Sequence, residues 1–142
     1  VKYLLDTDHI SIWQTKKGRD YLRLRARLDS HDLDDIACCI VSLHEQLIGC
    51  HSAIIRARHA KDVANGYRLL EGLYRHYTQS RLLPYDDRAI VAFDTLAAAK
   101  TRGSTMDLRI ASIAIANNLI LVTRNTVDFS KVPGLVLEDW TI

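Results

Sequence analysis

Short apolar runs of strand length alternate along this chain with longer stretches of helical period, and this alternation limits the fold more than any other feature. Residues 2–5, 36–41, 82–85, 119–122 and 136–137 read as strands; 36–41 carries β-branched residues at its ends, and 119–122 is the clearest of the five. Between them, Leu43, Leu47, Ile48, Ile54 and Ile55 fall on one helical face, and Leu70, Leu73, Tyr74 and Tyr77 follow the i, i+3, i+4, i+7 pattern. Residues 86–100 predict another helix. Residues 107–117 are almost wholly apolar apart from Asp107, Arg109 and Ser112, as in a buried helix.

Local signals mark the boundaries. The first strand ends at Asp6, and Asp8 or Thr7 is placed to cap a helix from about His9. Gly18 and Asp20 open a further helical stretch that ends near residues 29–32, and turns are expected at Arg102-Gly103-Ser104 and Pro133-Gly134. Pro84 assigns its strand to an edge or a strand end. Strands separated by helices imply an α/β fold, a central, mostly parallel sheet flanked by helices on both faces. With 142 residues and no repeat or linker, a single domain over residues 1–142 is expected.

No apolar run reaches membrane-spanning length, and residues 1–6 lack the features of a signal peptide, so a cytoplasmic protein is expected. Cys38 and Cys39 are neighbours that point to opposite faces of a strand, and Cys50 reads as a small helix hydrophobe; none suggests a disulfide or a metal cluster. The net charge of +2 is too small to establish a nucleic-acid partner. Its distribution says more: Lys16, Lys17, Arg19, Arg23, Arg25 and Arg27 are opposed only by Asp20. Such a stripe suits phosphates, and it equally suits a solvated helix face.

The acids stand at telling places. Asp6 ends the first strand, Glu45 lies in the first turn after the second, Asp107 starts the buried helix, and Asn125 and Asp128 follow the strand ending at Val122. An open parallel sheet binds ligands beyond the carboxyl ends of its strands, which would bring these side chains to one edge. Carboxylates gathered there repel one another unless a cation joins them, the setting of Mg²⁺ or Mn²⁺ held by oxygen ligands. Such an ion activates water and offsets charge on a phosphodiester. Helix N-termini near Glu45 and Asp107 are expected to favour the ionised acids.

Each residue also has a bland role. Ser42-Leu43-His44-Glu45 fits a capping box, Asp107 fits a helix cap, and Asp128 a turn cap before Phe129. Asp6, an acid ending a buried strand, is the hardest to explain that way. The six histidines add little: Ile48 stands where a zinc-protease helix needs its second His. Phosphate-binding glycine loops and nucleophile elbows are absent, so nucleophilic hydrolase chemistry is unsupported.

Four segments together resemble the motifs of PIN-domain proteins, in the family order. They are Tyr3-Leu4-Leu5-Asp6-Thr7-Asp8-His9-Ile10-Ser11, Val41-Ser42-Leu43-His44-Glu45-Gln46-Leu47-Ile48-Gly49, Met106-Asp107-Leu108-Arg109-Ile110-Ala111 and Leu121-Val122-Thr123-Arg124-Asn125-Thr126-Val127-Asp128-Phe129. Val132-Pro133-Gly134-Leu135, then Glu138-Asp139-Trp140, is similar to the ending of VapC-type toxins. The resemblance implies a PIN fold, a cytoplasmic Mg²⁺-dependent endoribonuclease acting on tRNA or ribosomal RNA, a small VapB-like antitoxin partner, and a homodimer. Asp6, Glu45 and Asp107 match the family's acidic triad. The fourth family acid commonly sits where this chain has Asn125, an uncharged amide; Asp128 stands three residues on.

The expected arrangement has Asp6 and Asp107 on the metal, with Glu45 as a further ligand or as the group that orients the attacking water. Asn125 or Asp128 completes the shell and Thr123 donates a hydrogen bond nearby. Arg124 and the basic stripe, Lys16, Lys17, Arg19 and Arg23 included, hold RNA phosphates. Two other functions also fit parts of the sequence. Asp6-Thr7-Asp8 mimics the D-x-D signature of haloacid-dehalogenase-type phosphatases, although His9-Ile10 departs from it and Glu45 would have no role. A non-catalytic PIN-like module would keep the fold and bind RNA or a protein without cutting.

Overall fold

Successive residues of the three central strands fall into two different cores. In Leu4 and Leu5, in Ala37 and Cys38, and in Leu121 and Val122, one side chain packs into a core on one face of the sheet and its neighbour into a core on the other. The adjacent cysteines part in the same way, and all three thiols are free and buried. This is the period-two geometry of strands covered on both faces.

The computed structural model covers residues 1–142. Its elements are β1 (Tyr3–Leu5), α1 (Thr7–Thr15), α2 (Arg19–Asp29), β2 (Ile36–Cys39), α3 (Ile40–Arg56), α4 (Ala60–Thr78), β3 (Arg81–Leu83), α5 (Asp87–Ala98), α6 (Thr105–Ala116), β4 (Ile120–Val122), α7 (Thr126–Phe129) and β5 (Leu137–Glu138). The strands lie in the order β3-β2-β1-β4-β5, and every pair is parallel. β3 is an edge strand and stops at Leu83, one residue before Pro84, so both alternatives that the proline allows are met. Helices α5, α6 and α7 supply one core through Ala89, Leu96, Ile110, Ile113 and Phe129. Helices α1 to α4 supply the other through Ile10, Leu24, Leu28, Cys50 and Leu73. No helix is long and apolar enough to cross a membrane.

The strand order places the site. From β1 the chain winds outward through β2 to β3, then returns to lay β4 on the opposite side of β1. The crevice beyond the carboxyl ends of β1 and β4 is therefore the switch point where parallel sheets bind ligands. The Asp6 N–H donates to the Val122 carbonyl at 3.0 Å, which ties the two strand ends together.

Several expected boundaries shift. Helix α1 begins at Thr7 and is capped by Asp6, not by Thr7 or Asp8, because the extended Asp6 turns its carboxylate back onto the His9 N–H. Strand β2 ends at Cys39 rather than Val41, and α3 starts at Ile40. Ser42 is then inside the helix, so the capping box with Glu45 does not form. The buried face expected on α3 is only partly buried: Leu47, Ile48 and Ile55 are exposed, as is Tyr74 on α4. The two helices pack mainly on each other, which leaves these outer side chains to solvent. Their contact is close: a Cβ on the buried Gly66 would stand 2.6 Å from Ile54 Cγ1.

Candidate active site

Asp6 is fixed from two sides. Its Oδ1 accepts the His9 backbone N–H at 2.8 Å and the His9 ring Nδ1 at 2.9 Å, while Oδ2 makes no hydrogen bond within the protein. On α3, in its second turn rather than its first, Glu45 lies half-buried with Oε1 2.7 Å from the Thr7 hydroxyl. Thr7 Oγ1 is also 3.0 Å from Ser42 Oγ. A carboxylate only accepts, so Thr7 donates to Glu45 and Ser42 donates to Thr7. Ser42, fully buried, thus holds the residue that holds Glu45.

Asp107 reaches the same edge from α6. Gly103, at φ +132°, makes the turn that delivers Ser104 as the helix cap. Ser104 Oγ accepts the Asp107 N–H at 3.1 Å, so the cap is Ser104, and Asp107 is left with its carboxylate for other use. Burial raises the Asp107 pKa above the ordinary carboxylate value, and the charges of Asp6 and Asp8 raise it further. This runs against the expectation that the helix N-terminus would favour the ionised form there; desolvation and like charge outweigh the hydrogen bonding with Ser104. It also puts Asp107 within electrostatic reach of Asp6, and it brings in Asp8, which the sequence offered as a helix cap or as the second acid of a D-x-D pattern.

Asn125 stands at the N-cap of α7 but caps nothing with its side chain. Its Nδ2 points to Asp107 Oδ2 at 3.5 Å. Thr123 is buried and its hydroxyl accepts the Asn125 N–H at 3.0 Å, so it shapes the loop after β4. Asp128 is not brought to the acids: it makes no bond with them and lines a separate cleft of about 920 Å³ with Arg88, Val91 and Lys131.

The basic stripe divides. Arg23 donates to the Thr141 carbonyl, Arg25 pairs with Asp29, Arg27 with Glu138, and Arg124 with Asp20 at 3.5 Å. Lys16, Lys17 and Arg19 form no ion pair, and Lys16 lines a cleft of about 760 Å³ that has Thr7 and Glu45 in its wall. Arg68 and Arg75 of α4 line the same cleft, which the sequence did not signal because α4 is distant in the chain. His9, which spacing along the chain does not mark, is fully buried behind Asp6.

No three of the Asp, Glu, His and Cys side chains stand close enough to cage an ion unaided. The donor set nonetheless fits a hard divalent cation, because Mg²⁺ needs only one or two carboxylates and keeps waters and substrate phosphate in its remaining positions. Asp6, with a free Oδ2, and Asp107, whose pKa is raised by burial and then by the charges of Asp6 and Asp8, offer that pair.

The sequence matches the PIN domain over residues 3–135. This chain belongs to the PIN-domain family. The PIN domain is 27% identical over 146 residues to the tRNA(fMet)-specific endonuclease VapC of Salmonella typhimurium, covering 99% of this chain and 98% of that one. Over a stretch of 34 residues, 24% of the chain, it is 56% identical to ribonuclease VapC2 of Rickettsia felis. Among solved structures, DNA-bound VapBC from Salmonella typhimurium matches with a TM-score of 0.76 and 24% identity, over 99% of this PIN domain and 98% of that chain. VapBC2 from Rickettsia felis, bound to a promoter DNA fragment, matches with a TM-score of 0.72 and 22% identity, over 99% of both chains. At such identities the structures establish the shared fold.

Proposed function

We propose that this PIN domain is a divalent-metal-dependent endoribonuclease, the toxin of a type II toxin–antitoxin pair of the VapBC kind, cleaving structured RNA such as tRNA or rRNA. The observation that supports the proposal most is that Asp6, at the β1–α1 junction, and Asp107, on α6, lie within electrostatic reach of each other, and neither is paired with a Lys or Arg. A bound Mg²⁺ or Mn²⁺ supplies an activated water and offsets charge on the scissile phosphate. Asp6 and Asp107 hold the ion. Glu45, oriented by Thr7, is a further ligand or orients the attacking water, and Asn125 completes the shell through its amide. Lys16, Lys17 and Arg19 carry free charge for RNA phosphates; Arg23, Arg124 and Thr123 contribute mainly by shaping the rim. The near full-length likeness to an endonuclease named for tRNA supports the substrate class.

The partner assignments follow from the same relatives. Solved neighbours are VapBC complexes, and this chain exposes Leu47, Ile48 and Tyr74 on one side and Val91 and Val127 on another. Such apolar side chains suit a VapB-like antitoxin and a second copy of the chain. The three free thiols suit a reducing cytoplasm.

The test compares wild type and Asp6→Asn on RNA, with and without EDTA, and in a growth-arrest assay. Wild type should cut and arrest growth, and both the variant and the chelator should stop cleavage. Undiminished cleavage by Asp6→Asn overturns the metal assignment. Arrest that persists in the variant without cleavage points to the non-catalytic PIN-like module.

A further inference from the structure

We propose that His9 is a positioning residue that links the C-terminal turn to the metal-binding carboxylate of Asp6, an inference that rests on the divalent-metal reading above. His9 is fully buried, so both ring nitrogens need partners. They have them on opposite sides. The Trp140 backbone N–H donates to Nε2 at 3.2 Å, which makes Nε2 the acceptor and leaves the ring proton on Nδ1. That proton is donated to Asp6 Oδ1 at 2.9 Å.

Nε2 also lies 3.5 Å from Asp139 Oδ1, but that oxygen already accepts the Thr141 N–H at 2.8 Å and the Thr141 hydroxyl at 2.6 Å. The shorter, directed bond from Trp140 therefore sets the tautomer.

The far end of this link is well anchored. Trp140 is fully buried, its ring stacks on His31 at 4.9 Å, and Tyr3 lies 5.0 Å away. Its indole N–H donates to Glu138 at 2.6 Å, and Arg27 sits over the ring at 5.3 Å. Through His9, a side chain locked 131 residues away fixes the rotation of the Asp6 carboxylate. With the helix-capping N–H also on Oδ1, the free Oδ2 is the oxygen presented to the crevice. Hydrogen bonds behind a metal ligand typically change metal affinity by about 10–100-fold.

Two variants separate the halves of the link. His9→Asn keeps a donor at the place of Nδ1 and loses the Trp140 acceptor; His9→Gln keeps the acceptor at the place of Nε2 and loses the Asp6 donor. Full-length proteins are titrated with Mn²⁺ by electron paramagnetic resonance, with thermal unfolding and RNA cleavage against Mn²⁺ concentration alongside. His9→Gln should weaken Mn²⁺ binding about tenfold or more, and its cleavage should recover at saturating Mn²⁺. His9→Asn should stay within a few-fold of wild type in Mn²⁺ affinity even where its melting temperature falls. Equal Mn²⁺ affinity in wild type and His9→Gln overturns the proposal, as does an equal loss in both variants, which marks a purely structural histidine. Wild type that binds no Mn²⁺ overturns the metal reading itself. If His9→Gln does not fold, Trp140→Phe in place of it tests the anchor: weaker Mn²⁺ binding supports the link, and wild-type binding overturns it.

Discussion

The Thr7 hydroxyl donates to Glu45 Oε1 across 2.7 Å, although 38 residues separate them. Thr7 adjoins Asp6, so this bond ties the third acid to the first. Thr7→Val removes it while keeping the shape of the side chain. A hydrogen bond to a charged group is worth about 1.5–3 kcal/mol, so kcat/KM for RNA cleavage should fall roughly 10–100-fold, and Thr7→Ser should restore most of it. A wild-type rate in Thr7→Val would show that Glu45 does not depend on this contact.

Asp107 sits where burial and two like charges oppose its ionisation. Asp107→Asn removes that repulsion along with the proposed metal ligand. Expected is a protein that no longer cleaves RNA but melts at a higher temperature than wild type in EDTA. Saturating Mn²⁺ should narrow the difference by stabilising only wild type. A lower melting temperature in EDTA would mean that the acids do not repel as described.

Asp86 caps α5 by accepting the Ala89 N–H at 3.1 Å, and this bond, with Arg88 beside it, holds its pKa below the ordinary 3.8. A carboxyl with a depressed folded-state pKa adds stability that is present above its unfolded pKa. That stability is lost as pH falls through the folded value. Asp86→Ala should therefore melt lower than wild type at pH 7. The gap should close only on acidification below the normal carboxylate range. Melting curves collected across that range decide it, and a gap independent of pH would refute the charged-cap account.

Gly66 and Gly72 lie on the same helix in opposite circumstances. A Cβ at Gly66 meets Ile54 Cγ1 at 2.6 Å, whereas one at Gly72 meets nothing within 4 Å. Overpacking costs about 1–3 kcal/mol, and replacing a helical glycine with alanine gains about 1 kcal/mol. Gly72→Ala should thus raise stability toward urea, and Gly66→Ala should lower it or leave it level. Stabilisation by both would show that α3 and α4 part without cost.

Much of the fold is readable in the chain because burial and period are local properties. The five strands, the edge position of the one before Pro84, the buried helix after Ser104 and the separation of Cys38 from Cys39 all follow from spacing of a few residues. Boundaries were less legible where two caps compete. Asp6, Thr7 and Asp8 all suit an N-cap, and only the extended backbone at Asp6 settles which one serves. Ser42 and Glu45 have capping-box spacing, yet β2 hands over to α3 three residues earlier.

The sequence alone determined a parallel sheet covered on both faces, with Asp6 at the end of its first strand and further acids on or before the helices that follow, since short apolar runs between helical stretches bury best as doubly covered strands. Tertiary structure decided which of those acids meet. β4 lies beside β1, so the loop after it brings Asn125 to Asp107 while α7 turns Asp128 into another cleft. The same packing set Thr7 against Glu45 and His9 against Trp140. Contacts between residues so far apart depend on strand order and helix docking, which spacing along the chain does not record.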